Sequence, residues 1–254
     1  MASRDQPEDV ISAPATHQNG TAMDLHRLRG PHRPAAALLA DCYALLADAV
    51  ADSDAGPDYR QDLHRLIAAA QQAELPEASP SALPLLVCAA AGGNPASAVP
   101  AGAAWRGLRL AIQLLERIAH EAADSAQLGA CALGLLGAAW RLLAQLPTRQ
   151  WRTQQLDFQR TLMQISGARH SAGAPEHPPD LDSYHQLLGL HDGACFALAA
   201  RCGARCAGCT ADRLGLYTQF GHNAGIMLAI ANDLSDFRTA TRIGIRTQKQ
   251  RILP

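Results

Sequence analysis

The feature that most constrains the fold is a long succession of Ala- and Leu-rich segments whose apolar residues recur with the period of an amphipathic helix. The first begins at Pro34 (PAAALLADCYALLADAV), and the second runs from Asp58 to Gln72. Aromatic residues make up only 4% of the chain, and no stretch alternates polar and apolar residues as a half-buried strand does. The sequence therefore predicts an all-α protein.

The helical pattern also predicts the domain organisation. Residues 1–33 are polar and aperiodic, which indicates a disordered N-terminal tail. Residues 34–254 are expected to form one large helical bundle. We expect its later helices over residues 83–91, 98–123, 125–146, 148–166, 181–201 and 220–237, with a short helical stretch reaching Cys209 and a Gly- and Pro-rich loop at 167–180.

Composition excludes several classes of function. The net charge is −1 and the pI about 6.8, which disfavours a nucleic-acid partner. The longest apolar run, from Leu128 to Trp140, is shorter than the ~20 residues of a membrane-spanning helix, so no span is expected. The N-terminus lacks the apolar core of a secretory signal, and the seven cysteines are expected to be reduced. These features predict a cytoplasmic protein.

The segment from Phe220 to Phe237 (FGHNAGIMLAIANDLSDF) is an apolar helix that ends in polar residues. Asn232 and Asp236 have i/i+4 spacing, so they point to one side of the helix with Asp233 beside them. Oxygen ligands of this kind suit Mg²⁺, which prefers one or two carboxylates together with water and phosphate oxygens. The alternative is that these are solvated residues near a helix end.

Four segments in this order resemble the trans-isoprenyl diphosphate synthase, or polyprenyl synthetase, family. They are LPLLVCAAAGGNPASAVPAGAAWRGLRLAIQLLERIAH, AQLGACALGLLGAAWRLLAQL, LDSYHQLLGLHDGACFALAARCGARCAG, and FGHNAGIMLAIANDLSDF with RIGIRTQKQRILP after it. The resemblance implies an isoprenoid-synthase bundle in which two Asp-rich motifs hold Mg²⁺ and the diphosphate of an allylic substrate. It also implies association as a homodimer, or as a heterodimer with a homologous synthase.

The resemblance carries site residues onto this chain. The second Asp-rich motif corresponds to Asn232, Asp233 and Asp236. Without gaps, the three aspartates of the first motif fall on Glu116, Arg117 and His120, so Glu116 is the remaining oxygen ligand. A shifted alignment would use Glu121 and Asp124 instead.

The chain departs from the family pattern at several other positions. The diphosphate-binding Lys-Thr corresponds to His191 and Asp192, and the Gly-Gln to Gly167 and Ala168. The arginine pair expected after the first motif is missing. Near the C-terminus, Lys249 and Arg251 form a basic stretch that is expected either to approach a diphosphate or to be solvated. The family usually continues beyond the position of Pro254, so part of the bundle wall is expected to be lost unless a partner covers it.

Another motif has a competing interpretation. Cys202, Cys206 and Cys209 have the C-x3-C-x2-C spacing used to hold an iron–sulfur cluster. They lie in helical sequence, where the alternative is close packing of small residues.

Three functional hypotheses follow. The first is a member of isoprenoid biosynthesis that binds a prenyl diphosphate through Mg²⁺, with weak or altered prenyl transfer. The second is a noncatalytic subunit of an active synthase. The third is an enzyme similar to terpene cyclases, although Asp236 and Ala240 do not match the metal triad of that class.

Overall fold

The computed structural model describes residues 33–74, 79–120, 125–171 and 180–243. The chain divides into two units, Met1–Pro31 and His32–Pro254, and every described residue lies in the second. Arg33 pairs with Asp41 of the first helix. The rest of the predicted tail lies outside the described residues, so the tail and domain boundaries stay predictions.

The described residues contain nine α-helices and no strand, which confirms the predicted all-α class. Short 3₁₀ turns, Pro80–Ala82 and Pro95–Ala98, precede the third and fourth helices, and a π-helical turn, Gly189–Gly193, joins the seventh to the eighth. The helices are α1 Ala35–Ala51, α2 Pro57–Gln72, α3 Leu83–Ala90, α4 Val99–His120, α5 Ser125–Leu143, α6 Thr148–Ser171, α7 Leu181–Leu188, α8 Ala194–Cys206 and α9 Ala211–Ile243.

Three helices differ in extent from the predicted ranges. Helix α6 continues past Ser166 to Ser171, because Ala168 prolongs the buried face begun by Ile165. Helix α8 continues without a break past Arg201 to Cys206, within the short helical stretch predicted to reach Cys209, and its Cys202 and Ala204 are fully buried. Helix α9 begins at Ala211 and ends at Ile243, so it is longer than the segment 220–237 that the apolar pattern predicted.

Helix α4 is the centre of the core. Its residues Ala104, Trp105, Leu108 and Ala111 are fully buried, and the helix packs against α1, α5 and α8. The small side chains allow these neighbours to approach closely, and each large one removes apolar surface from water, contributing about 1.5–3 kcal/mol for a leucine-sized group.

The contact between α8 and α9 positions the C-terminal motif. A Cβ atom at Gly221 would lie 2.4 Å from the carbonyl oxygen of Phe196, and one at Gly225 would lie 2.4 Å from that of Asp192. Only glycine allows the two helices to approach so closely. The close approach sets α9 directly against α8 and the π-helical turn.

One described helix, α5, is long and apolar enough to cross a membrane by its length and composition. The sequence-based expectation counted only uninterrupted apolar residues and did not detect it. Cys131, Leu135 and Leu142 of α5 are buried in the bundle core. Buried core helices of globular bundles are often equally long and apolar, so this helix alone is weak evidence for a membrane span.

Candidate functional site

The end of α4 meets the π-helical turn through a cluster of ionisable side chains. Glu116 Oε1 lies 3.2 Å from His191 Nε2, and His191 Nδ1 lies 3.2 Å from Asp192 Oδ2. The side chain of His191 is only 13% exposed, so the contact is largely screened from water. Two residues assigned to different parts of the site, Glu116 to metal and His191 to substrate, therefore contact each other directly.

Arg169 is a third member of this cluster. Its guanidinium lies 3.6 Å from Glu116 Oε1 and donates a 3.1 Å hydrogen bond to the carbonyl of Leu115. The residue reaches α4 because α6 extends beyond Ser166. Sequence reasoning missed Arg169, since the predicted helix ended before it. The available signal was a basic residue within one turn of that predicted end.

The π-helical turn itself is a structural feature of the site. It contains His191 and Asp192, and Gly189 and Gly193 of the same turn lie against the imidazole of His222 on α9. A π turn inserts one extra residue into a helix and is often found at functional sites. The turn divides the predicted helix 181–201 and directs His191 toward α4.

The motif on α9 is divided between two environments. Asp233 is 7% exposed, and its Oδ2 accepts a 2.7 Å hydrogen bond from the hydroxyl of Tyr184 on α7. Asn232 and Asp236 are exposed. The Asp233 carboxylate therefore joins α7 to α9, while its two motif neighbours face solvent.

Asn232 and Asp236 nevertheless lie on the same side of α9 as the π-helical turn. They follow Gly225 by seven and eleven residues, which places them about 20° to either side of its direction on the helix. Gly225 packs against Asp192. Their exposure is explained by their position along α9, beyond the contact with α8.

The donor set does not form a preformed magnesium site. Among the residues described, no group of three or more His, Cys, Asp or Glu side chains lies close enough to hold a metal ion. Glu116 is paired with His191 and Arg169, and Asp233 with Tyr184. Magnesium binding by Asn232, Asp233, Asp236 and Glu116 stays a prediction.

Several other predicted residues fall outside the description. Lys249 and Arg251 lie in residues 244–254, outside the described residues. Glu121 and Asp124 of the shifted alignment lie in residues 121–124, which are also outside them. Arg117 is exposed on α4.

An aromatic pair joins α4 to α8. Trp105 and Phe196 meet edge to face with ring centroids 5.5 Å apart, and Trp105 Nε1 donates a 2.8 Å hydrogen bond to the carbonyl of Cys195. The guanidinium carbon of Arg109 lies 4.5 Å from the centroid of Phe196. Arg109 is two helical turns before Glu116 on the same face of α4. The Arg109 guanidinium therefore packs against the ring of Phe196.

The cysteine motif is part of the packing. Cys202 is fully buried, Cys206 and Cys209 are half-buried, and all seven cysteines are free thiols. Burial raises the pKa of Cys206 to about 11 and that of Cys202 well above its usual value. In the described part of the chain, no three or more His, Cys, Asp or Glu side chains lie close enough to hold a metal ion, so the three cysteines do not form a ligand set.

A scan of protein-family models finds no match for this sequence, and no curated protein matches it. Solved structures do match its fold. The small subunit of geranyl diphosphate synthase from Antirrhinum majus superposes with a TM-score of 0.65 at 20% identity, over 78% of this chain and 83% of that one.

Two further structures give a similar result. A geranylgeranyl pyrophosphate synthase has a TM-score of 0.66 at 15% identity over 79% of this chain, which spans 64% of that enzyme. A deletion mutant of the heterotetrameric geranyl pyrophosphate synthase of mint has a TM-score of 0.63 at 18% identity, over 78% of this chain and 82% of that one. At these identities the likeness establishes the fold. The chain therefore has the all-α fold of the prenyl diphosphate synthases.

Proposed function

We propose that this chain is a noncatalytic subunit of a prenyl diphosphate synthase in isoprenoid biosynthesis. The observation that carries the proposal is the contact of Glu116 with His191 and Arg169. Glu116 is the one carboxylate that the ungapped alignment leaves in the first Asp-rich motif. A carboxylate already paired with a basic side chain is a poor ligand for Mg²⁺, because the cation must displace that partner.

The electrostatics around this contact support the same conclusion. Ionisation of an allylic diphosphate requires several positive charges around the leaving group. Here the lysine position of the family holds His191, next to the carboxylate of Asp192. Removing one such electrostatic stabiliser typically slows a reaction ~100-fold, and this chain lacks several.

The fold comparisons support association with a synthase. The structures of similar fold include a small subunit of geranyl diphosphate synthase and a heterotetrameric geranyl pyrophosphate synthase. The seven free cysteines suit a reducing compartment, so the proposed location is the cytoplasm.

Retained binding of a prenyl diphosphate is a second candidate function. Asn232 and Asp236 are exposed on the side of α9 that faces the π-helical turn, which leaves two oxygen donors accessible to Mg²⁺ and a diphosphate. This candidate predicts binding of geranyl diphosphate that depends on Mg²⁺ and is weakened by Asp236→Ala. Isothermal titration of the purified chain measures it.

The test of the subunit proposal is a reconstitution. The chain is co-expressed with a homologous synthase, and the complex is assayed with allylic diphosphates of several lengths, isopentenyl diphosphate and Mg²⁺. We expect a stable complex whose elongation rate is unchanged by Glu116→Gln or Asp236→Ala in this chain. The matched control replaces an aspartate of the Asp-rich motif in the synthase, which should reduce the rate by at least about 100-fold.

Other results would contradict the proposal. Elongated product from the purified chain alone would identify an active prenyltransferase. A hydrocarbon product from the allylic substrate alone would support the cyclase alternative. Failure of the two chains to associate, measured by co-purification, would exclude the subunit role.

A further inference from the structure

A second polar cluster lies where α8 packs against α6. Asp157 of α6 is 4% exposed, and its carboxylate pairs with two arginines of α8. Arg201 Nη1 lies 3.3 Å from Oδ1 of Asp157, and Arg205 Nε lies 2.9 Å from Oδ2. Arg201 follows His191 by ten residues, which is ~15 Å along a helix. The cluster is therefore separate from the contact of Glu116 with the π-helical turn.

This cluster has an excess of positive charge. Two guanidiniums share one carboxylate, and in the described part of the chain neither pairs with another. Arg201 Nε also donates a 3.4 Å hydrogen bond to Thr218 Oγ1 of α9. Nη2 of Arg201 and both Nη atoms of Arg205 donate to no described residue.

The unused donors are accessible and suit an oxyanion. The side chains of Arg201 and Arg205 are 28% and 26% exposed, so an ion can reach them from solvent. A guanidinium presents its N–H groups as a planar fork that matches the oxygens of a phosphate or a carboxylate. Two such forks beside one carboxylate can therefore accept one further anionic group.

Gln154 gives an independent indication of a ligand. It precedes Asp157 by three residues, so both side chains lie on the face of α6 that meets α8. Gln154 is fully buried, and its Nε2 donates a 3.5 Å hydrogen bond to Sγ of Cys206, the residue after Arg205. Its Oε1 accepts no hydrogen bond from any described residue. A buried acceptor without a donor is destabilising, so a bound group that donates a proton to Oε1 would stabilise this arrangement.

We propose that Arg201, Arg205 and Gln154 bind hydrogen phosphate. The unprotonated oxygens of the ion accept hydrogen bonds from the two guanidiniums, and its P–OH group donates to Gln154 Oε1. Sulfate and carboxylates supply the acceptors but carry no proton at neutral pH, so they leave Oε1 unsatisfied. The proposal is independent of the subunit role, because none of these three residues belongs to the Asp-rich motifs or to the Glu116 contact.

Isothermal titration of the full chain with sodium phosphate at pH 7.5 and constant ionic strength tests the proposal. We expect a dissociation constant of about 0.1–1 mM. Sulfate should bind at least about tenfold more weakly, because it cannot donate to Gln154. Glycerol 1-phosphate, whose phosphate is mostly unprotonated at this pH, should also bind more weakly than the free ion.

Two variants test the assigned residues. Arg205→Gln removes one guanidinium and should raise the dissociation constant for phosphate at least about tenfold. Gln154→Leu has a similar volume and removes the buried acceptor. It should weaken phosphate binding about tenfold, leave sulfate binding unchanged and not lower the Tm in phosphate-free buffer. Circular dichroism checks that both variants retain their helix content, and Gln154→Leu keeps the test decisive if Arg205→Gln fails to fold.

Two controls locate the binding site. Arg141 of α5 pairs one-to-one with Asp52, so Arg141→Gln should leave phosphate affinity unchanged. Arg169→Gln should also leave it unchanged, because Arg169 belongs to the Glu116 contact. A loss of binding in Arg169→Gln would place the anion at that contact and overturn the proposal.

Other results would overturn it as well. No binding up to about 10 mM phosphate would exclude a site of this affinity. Binding that is unchanged by both Arg205→Gln and Gln154→Leu, or sulfate binding as tight as that of phosphate, would indicate an adventitious ion only. Tighter binding of glycerol 1-phosphate than of hydrogen phosphate would contradict recognition of the free protonated ion.

Discussion

The hydroxyl of Tyr184 donates a 2.7 Å hydrogen bond to Oδ2 of Asp233, which joins α7 to the acidic motif of α9. Both residues are buried, with exposures of 8% and 7%. Asp233 therefore has a structural partner of its own, whereas Asn232 and Asp236 of the same motif are exposed. Asp233 therefore has a structural role, whereas Asn232 and Asp236 are accessible to a ligand.

Removal of the Tyr184 hydroxyl should destabilise the protein. Tyr184→Phe leaves the buried Asp233 carboxylate without that donor, so we expect the free energy of unfolding to fall by about 1–3 kcal/mol, measured by urea denaturation. The matched control is Tyr217→Phe, whose hydroxyl makes only an exposed 3.5 Å contact with Arg213. Equal effects of the two substitutions would contradict the structural role of Tyr184.

The close approach of α9 to the π-helical turn should make Gly225 intolerant of a side chain. In Gly225→Ala the new Cβ would lie 2.4 Å from the carbonyl oxygen of Asp192, so the helices must separate. We expect a loss of about 1–3 kcal/mol in thermal or urea unfolding. Gly215→Ala on the same helix is the control, because no atom lies within 4 Å of its Cβ position. That substitution should stabilise by about 0.5–1 kcal/mol, and a tolerated Gly225→Ala would refute the packing.

Glu74 should make stability depend on pH. Burial acts to raise its pKa, but hydrogen bonds from Ser79 and Ser81 and the charge of Arg106, which lies 2.5 Å away, outweigh this, so the pKa of Glu74 is lowered. A lowered pKa in the folded state contributes stability above the unfolded pKa, about 4.3. That contribution is lost as pH falls through the folded-state value.

The corresponding experiment compares Glu74→Gln with the wild type by urea denaturation at several pH values. Arg106 is 5% exposed, so loss of its carboxylate partner should cost about 3 kcal/mol at pH 7. The difference between the two proteins should shrink below about pH 4. Ser81→Ala, which removes one donor to Glu74, should change stability in the same direction by a smaller amount. A difference that stays constant with pH would contradict this account.

Two buried thiols should resist alkylation in the native protein. Burial raises the pKa of Cys195 to about 11 and that of Cys42 to about 12, from a usual value of 9.0. The thiolate is the nucleophile. A thiol pKa that is two units higher therefore lowers the reactive fraction about 100-fold at pH 8. Iodoacetamide labelling followed by peptide mass spectrometry measures the rates, and the same peptides from unfolded protein serve as the control. Equal rates in both states would show that these thiols are not buried.

Much of the architecture was predictable because it depends on local periodicity. The starts of the helices that carry Cys42, Leu63 and Trp105 were predicted within a residue or two, since the apolar pattern and the Pro and Gly residues around them act locally. The extension of α6 to Ser171 was not predicted. Its last turn is held by burial of Ala168 in the core, which depends on helices distant in sequence.

The sequence identified most of the individual residues of the candidate site, but it did not predict which of them contact each other. Glu116 and His191 were both identified, but nothing in their spacing indicated that they contact each other. The i/i+4 relation of Asn232 and Asp236 placed them on one side of a helix, and it did not reveal that Asp233 beside them bonds to Tyr184. Arg169 was missed because its role depends on where α6 ends.

The sequence by itself determined that the chain is helical and which residues could carry chemistry, because helix formation and donor type are local properties. Only the tertiary structure decided how those residues pair. The close packing of α9 at Gly225 and the π-helical turn bring His191 to Glu116, and the fold of α7 brings Tyr184 to Asp233. These pairings use side chains far apart in sequence, and their energies depend on burial, which exists only when the bundle is assembled.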